Sequence, residues 1–368
     1  MKCKQKSYYK LFDMESYEWK CEEEALKGSD YCILHIEYPE FESPEYLELD
    51  KLKAEKIKEK SRKKDFNYTA AKLSKLGFKN MDISHVELRN AEIGDFVLKN
   101  VNIVGSTVDF GEGSKFENFN SFVNCYGAKI DHIYFENVKI RDSIVFRDVI
   151  TKEFIFNNVN VGLVANFENI TIENYIQLSG LSVDGTLEFQ NAHILCDNAN
   201  FKIPNIKEGI YFNNTKFENP LHQEILCRYA KNNWEGLGDK EKADYHYYRE
   251  MEAKRLQKPF YVKYPEWIFQ KAFGYGVYPL RLFITFFSIF IIFSLIYWII
   301  LNPLINNVIN YGNLLIGIRF SFLTLVIPAY GIASQNSLNF GIFIIIEAIL
   351  GAFMWPLIIA SFARKYMR

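Results

Sequence analysis

The sequence has no phosphate-cradling glycine loop, no nucleophile beside a base, and no paired carboxylates at a catalytic spacing. His85, His132, His193, His222 and His246 stand singly, as surface or hydrogen-bonded structural histidines usually do. These gaps argue against an enzyme. Cysteine is scarce: of six, three fall in the first 32 residues with a histidine nearby, while Cys125, Cys196 and Cys227 are scattered. That pattern fits a reducing compartment and a metal site better than a disulfide framework. There is no surplus of charge either. A formal net charge of -1 gives nucleic acid nothing to bind by, so none is expected as partner. The basic opening, residues 1–6, is followed by no apolar stretch, which argues against a cleaved leader.

Charge also runs out along the chain. Residues 1–258 are polar, but from about Pro279 onward the chain is mostly apolar. Residues 282–301 form a charge-free run of bilayer-spanning length, and residues 340–363 a second, broken only by Glu347. Lys254, Arg255, Lys258, Lys263, Lys271 and Arg281 precede the first run; Arg364, Lys365 and Arg368 follow the second. The connection holds one charge, Arg319. The expectation is a multi-pass protein of the cell membrane with both termini cytoplasmic. Within the connection, residues 314–327 are apolar but too short to cross, which suggests a re-entrant helix, and residues 328–331 read as non-helical backbone.

These features resemble the two-transmembrane, pore-loop potassium-channel family over residues 260–368. Phe320-Ser321-Phe322-Leu323-Thr324 followed by Tyr330-Gly331 is similar to that family's pore helix and filter. Glu347 to Gly351 resembles the start of its pore-lining second helix, and Gly274-Tyr275-Gly276 with Pro279 and Arg281 resembles its lead-in. The resemblance implies a homotetramer around a pore for a monovalent cation such as potassium, with a pore loop over residues 312–335 and a filter at Thr324, Ile327, Pro328, Ala329, Tyr330 and Gly331. Departures put potassium selectivity in doubt. Ala329 stands where the family has a backbone-permissive glycine, Pro328 removes an N–H, and Ile332 replaces an acidic residue. Glu347 reads either as an ion-attracting or filter-bracing group, or as a structural carboxyl bonded to a neighbouring helix. Gly351 reads either as a gating hinge or as a point of close helix approach.

Between these spans and the N-terminus lies a repeat. Ile83, Leu88, Ile93, Leu98, Ile103 and Val108 recur every five residues. Farther on, Phe135, Phe146, Phe156, Phe167, Leu178, Phe189, Phe201 and Phe212 fall ten to twelve apart, with Asn frequent between them. This pattern resembles the pentapeptide repeat, a right-handed β-helix, over residues 81–219, with roughly six coils that serve as a spacer or a protein-docking surface. Residues 220–258 read as an amphipathic helical hairpin capped at Asp239, and residues 259–278 as an aromatic interfacial segment. Residues 39–80 read as a charged helical linker with a solvated face.

Residues 1–38 carry Cys3, Cys21, Cys32 and His35, a C-x17-C-x10-C-x2-H set. Three thiolates and an imidazole suit a closed, structural Zn2+ site, with free cytosolic thiols as the other reading. Taken together, these features lead to a multidomain membrane protein: a β-helical solenoid plus an α-helical pore domain spanning residues 279–368. Its expected role is that of an ion channel subunit. The alternative is a non-conducting, membrane-anchored pentapeptide-repeat scaffold. A solenoid that binds DNA or a topoisomerase lacks a charge signature. No cyclic-nucleotide pocket, arginine ladder or calcium loop is evident, which leaves a mechanical or protein-borne trigger by elimination.

Overall fold

A computed structural model describes residues 1–10, 16–41, 43–104, 122–202, 205–301, 311–329 and 341–366. The chain forms two compact units, Met1–Glu250 and Met251–Arg368.

The first unit is built on a β-solenoid of about six turns. Four long strands, Lys72–Ile83, Glu92–Ile103, Lys129–Ile140 and Ile150–Val161, lie parallel and in register, each followed by a short strand on another side of the coil. Register stacks like on like. Phe78, Leu98, Phe135, Phe156, Leu178 and Phe201 form one inward column. Phe146, Phe167, Phe189 and Phe212 form another, with successive ring centroids 5.9, 4.7 and 5.5 Å apart. The ten-to-twelve spacing in the sequence is therefore half a coil, alternating between two columns that both point inward.

Asparagine makes the corners. Each long strand bends at Asn80, Asn100, Asn137 or Asn158, all with φ between 53° and 55°. That left-handed conformation is open to Asn because its short amide bonds locally. The amides then form a ladder from coil to coil: Asn100 to Asn80 at 2.8 Å, Asn137 to Asn100 at 3.1 Å, and Asn158 to Asn137 at 2.8 Å. A second corner column runs through Asn90, Asp148, Asn169, Asn191 and Asn214.

The solenoid starts ahead of residue 81. Phe66 and Tyr68 are already core residues, and Lys72–Ile83 pairs along its length with Glu92–Ile103. The lysines at 72, 75 and 79 mask the inward set Leu73, Leu76 and Phe78, so the stretch reads as linker although it alternates as a strand. The preceding helix α1, Pro44–Arg62, is not simply solvated: Lys53 and Lys60 are both buried.

Both ends of the solenoid are covered, as open sheet edges need. At the start, Lys53 Nζ donates to Lys72 O and to Ile36 O, each at 2.6 Å. At the finish come helices α2, Pro220–Gly236, and α3, Lys240–Leu256, the latter capped by Asp239 Oδ1 accepting from Lys242 N at 3.1 Å. Trp234 Nε1 donates to Ile210 O at 2.7 Å, and Arg249 donates to Phe212 O at 2.7 Å and to Thr215 O at 2.5 Å.

His246 of α3 is sealed in this cap. Burial and the Arg249 guanidinium hold its imidazole down at about 4. An unfolded imidazole protonates near 6.5. Between those values the unfolded chain binds more protons, so the cap keeps its full stability above about pH 6.5 and loses it as pH falls toward 4. The loss is on the order of 3 kcal/mol. His222, lowered by burial as well, acts in the same direction. Melts at pH 7.5 and pH 5 should show this loss in wild type, reduced in His246→Gln; an equal acid slope in both would remove His246 as its cause.

The second unit is helical. Helix α4, Phe260–Phe273, exposes Phe260, Tyr261, Tyr264, Trp267, Ile268 and Phe269. It ends at Gly274, whose φ of 54° closes the helix in the left-handed region. Helices α5, Pro279–Leu301, and α7, Gly341–Tyr366, are long and apolar enough to cross a membrane. Ile284, Phe287, Ile291 and Ile299 of α5 are exposed, as are Ile342, Ile349, Phe353 and Ile359 of α7. Between them in sequence lies α6, Tyr311–Val326, shorter and also apolar. After α6 the backbone is helical again at Pro328 and Ala329, where the sequence reading expects non-helical backbone. The proline explains this: its fixed φ and missing N–H suit the first turn of a helix. Tyr330 and Gly331, the rest of the expected filter, lie outside the described residues.

Candidate metal centre and a buried carboxyl

The loose C-x17-C spacing becomes tight once the chain folds. Strands Lys6–Lys10 and Ser16–Lys20 pair as an antiparallel hairpin. Cys3 and Cys21 flank its open end, where Cys21 N donates to Gln5 O at 3.1 Å and Cys3 N to Glu23 O at 2.9 Å. Cys32 and His35 come from a single short turn, Ile33–His35, closed by His35 N donating to Cys32 O at 3.0 Å. The four ligating atoms lie within 4.8 Å of one another, and all four residues are buried.

The geometry suits a metal ion better than free thiols. Cys21 Sγ and Cys32 Sγ are 3.8 Å apart, too far for a disulfide and close to the separation of about 3.8 Å expected for two thiolates on one tetrahedral ion. His35 Nδ1 lies 3.1 Å from Cys32 Sγ and 3.4 Å from Cys3 Sγ. Its other nitrogen, Nε2, is 3.0 Å from Thr69 O and carries the proton it donates there. The Nδ1 lone pair is thereby left facing the sulfurs, the outer-shell arrangement that orients a ligand imidazole. Hydrogen bonding from Cys21, helped by His35, holds the Cys32 thiol below the usual thiol range, while the same bond and burial raise the Cys21 thiol. These four residues form a group able to hold a metal ion.

Thr69 is the contribution that no side-chain pattern reveals, because it acts through its carbonyl. It belongs to the first coil, so the ligand set is tied to the solenoid. Lys53 strengthens the tie: its ammonium stands 3.9 Å over the Tyr38 ring while bridging Ile36 O and Lys72 O. Burial pulls Lys53 down to about 8.

In the helical unit, Glu347 comes together with Ser321 of the expected pore helix and with Tyr297, which the sequence did not single out. Glu347, Ser321 and Thr324 are fully buried. Glu347 Oε2 accepts from Tyr297 OH of α5 at 2.6 Å, and Oε1 accepts from Ser321 Oγ of α6 at 2.5 Å. Thr324 Oγ1 donates back to Phe320 O at 2.9 Å. The Glu347 carboxyl is thus hydrogen-bonded to both neighbouring helices. At Gly351 a Cβ would lie 2.5 Å from Leu325 O, so this glycine marks a close approach of α7 to α6. Ile327 and Ala329 are exposed and Pro328 half-buried.

Fold and centre together define a β-solenoid that carries an N-terminal module able to hold a metal ion, in one chain with two membrane-length helices. Set against protein families, curated proteins and solved structures, the chain finds no match.

Proposed function

We propose that the chain is one subunit of a cation-conducting membrane pore, with a zinc-stapled, right-handed, pentapeptide-like solenoid as its cytoplasmic part. The observation that carries this reading is α6. An apolar helix too short to cross a bilayer buries Ser321, Thr324 and Leu325 against two helices that are long enough, while those two expose apolar side chains outward. Such a helix is tolerated at membrane depth where protein surrounds it. Its C-terminal end presents a negative partial charge, which favours cations. Two spans and one short helix do not enclose a pore, so the reading requires cyclic assembly, a homotetramer as in the resembled family. Lys and Arg on both outer flanks support a cytoplasmic position for the termini and the solenoid. The solenoid then serves gating or the docking of a protein partner.

Zn2+ is the ion that best suits three thiolates and one imidazole in a closed tetrahedral set. With four protein ligands and no open position, its role is structural.

A second reading, a non-conducting membrane scaffold, is favoured by one observation: Pro328 and Ala329 are helical. A helical turn does not aim successive carbonyls at an ion as an extended filter does. Planar-bilayer recording of the full-length protein under opposed potassium and sodium gradients separates the two. We expect current that favours cations over anions with weak discrimination between potassium and sodium, and stronger potassium preference in Pro328→Val/Ala329→Gly. Silence from wild type beside current from the double variant would leave the scaffold.

A further inference from the structure

We infer that Glu347 is a positioning residue: its carboxylate clasps α6 between α5 and α7 and so sets where the segment after Val326 is held. This rests on the pore reading only for its functional consequence, because the clasp itself is a matter of geometry.

One hydroxyl from each neighbouring helix converges on this side chain, Tyr297 OH on Oε2 and Ser321 Oγ on Oε1. Each oxygen thus has its own donor from a different element, and Glu347 has no solvent exposure. An acceptor buried in apolar surroundings costs several kcal/mol when left unpaired. The carboxylate therefore penalises any placement of α6 that pulls Ser321 away, and any of α5 that withdraws Tyr297.

The packing around the clasp follows the same register. Gly317, Ser321 and Leu325 are spaced by four and form one stripe on α6, as Glu347 and Gly351 do on α7. A Cβ at Gly317 would lie 2.9 Å from Ser294 O and 3.2 Å from Trp298 N of α5. On the other side of the carboxyl, a Cβ at Gly351 would meet Leu325 O at 2.5 Å. A close backbone approach thus stands one turn to each side of the polar contact, first toward α5 and then toward α7. Close approach limits rotation, and the carboxylate selects register, so together they define a single seat for α6. Val326 and Ile327 follow Leu325 directly, which makes their placement a consequence of this seat.

The test uses full-length protein in detergent. Tyr297→Phe removes one bond of the clasp and Glu347→Leu removes both, and Ser321→Ala provides a milder variant should either fail to fold. Hydrogen exchange of the α6 amides reads the clasp without any need for current. We expect exchange to rise at least tenfold in each single variant. The double variant Tyr297→Phe/Glu347→Leu should rise little beyond Glu347→Leu alone, because that substitution already removes the bond to Tyr297. Exchange unchanged from wild type, or effects that simply multiply in the double variant, would overturn the clasp. Recording then reads the positioning. Where wild type conducts, Glu347→Leu should change the potassium-to-sodium permeability ratio at least threefold, with Glu347→Gln retaining part of the wild-type value; an unchanged ratio in Glu347→Leu overturns the positioning role. A wild type that passes no current removes the pore reading, and the clasp then stands or falls on exchange alone.

Discussion

Cys32→Ser is expected to strip the metal from the N-terminal module and to unfasten that module from the first coil. Cys32 belongs to the same turn as His35 and lies nearest to it, with Nδ1 at 3.1 Å and Cys21 Sγ at 3.8 Å. Hydroxyl for thiol leaves three ligands and one buried polar atom where four soft donors met. Metal binding by such a set is folding free energy, on the order of 10 kcal/mol in short zinc modules. Residues 1–38 hold little else. Apart from Cys3, Cys21 and Cys32, their one fully buried apolar side chain among the described residues is Leu34. Loss of the ion also frees the imidazole from Thr69 O, which uncovers the solenoid edge. Purified wild type should carry one zinc per chain by elemental analysis, and Cys32→Ser well under half of that. Hydrogen exchange across residues 66–83 should rise at least tenfold in the variant and in chelator-treated wild type, while residues 187–217 stay protected. Metal-free wild type with unchanged exchange at the first coil would show that the four residues are merely neighbours.

How much of this was legible in the sequence depends on where each interaction's information resides. The solenoid was visible because its rule is local: an apolar residue every five positions and Asn at the corners, repeated coil upon coil. Its first coil was not, because Lys72, Lys75 and Lys79 stand next to the inward Leu73, Leu76 and Phe78, and charge conceals the strand pattern. The metal ligands were visible as residue types, but their closeness depends on a hairpin that brings Cys3 beside Cys21. The Thr69 carbonyl leaves no side-chain trace at all. In the helical unit Glu347 was conspicuous as the only carboxylate in an apolar run. Tyr297 was not, since a hydroxyl in a membrane-length helix is ordinary until its partner is known, and Ser321 was visible only as part of the pore-helix run and not as a partner of Glu347. The helical turn at Pro328 escaped for another reason. Resemblance to a filter outweighed the preference of proline for a first helical turn, which was there to be read.

Phe156→Ala is expected to cost about 3–5 kcal/mol, the range for a fully buried aromatic whose cavity the surroundings close only in part. Phe156 lies at the crossing of both aromatic columns. Its ring stacks on Phe135 at 4.8 Å with an interplanar angle of 7°, lies 4.4 Å from Phe154, and meets Phe146 and Phe167 at 6.2 and 6.0 Å. Phe135 and Phe154 sit on strands pinned by ladders above and below, so they cannot move in to fill the gap without breaking the register of Lys129–Ile140 on Ile150–Val161. A control on the same strand isolates the cause. Ile150 is 44% exposed, and Ile150→Ala should cost well under about 1 kcal/mol. The solenoid's nearest-neighbour architecture adds a spatial expectation: a fault in a middle coil weakens the coils it touches most and the N-terminal end least. Hydrogen exchange should therefore rise first over residues 129–178 and last over residues 66–83. Denaturation midpoints give the magnitude, and exchange gives the location. Equal costs for the two substitutions would mean that the aromatic columns are passive filling. A uniform rise in exchange along all coils would mean that the solenoid unfolds as one unit and that its ends gain nothing from their separate caps.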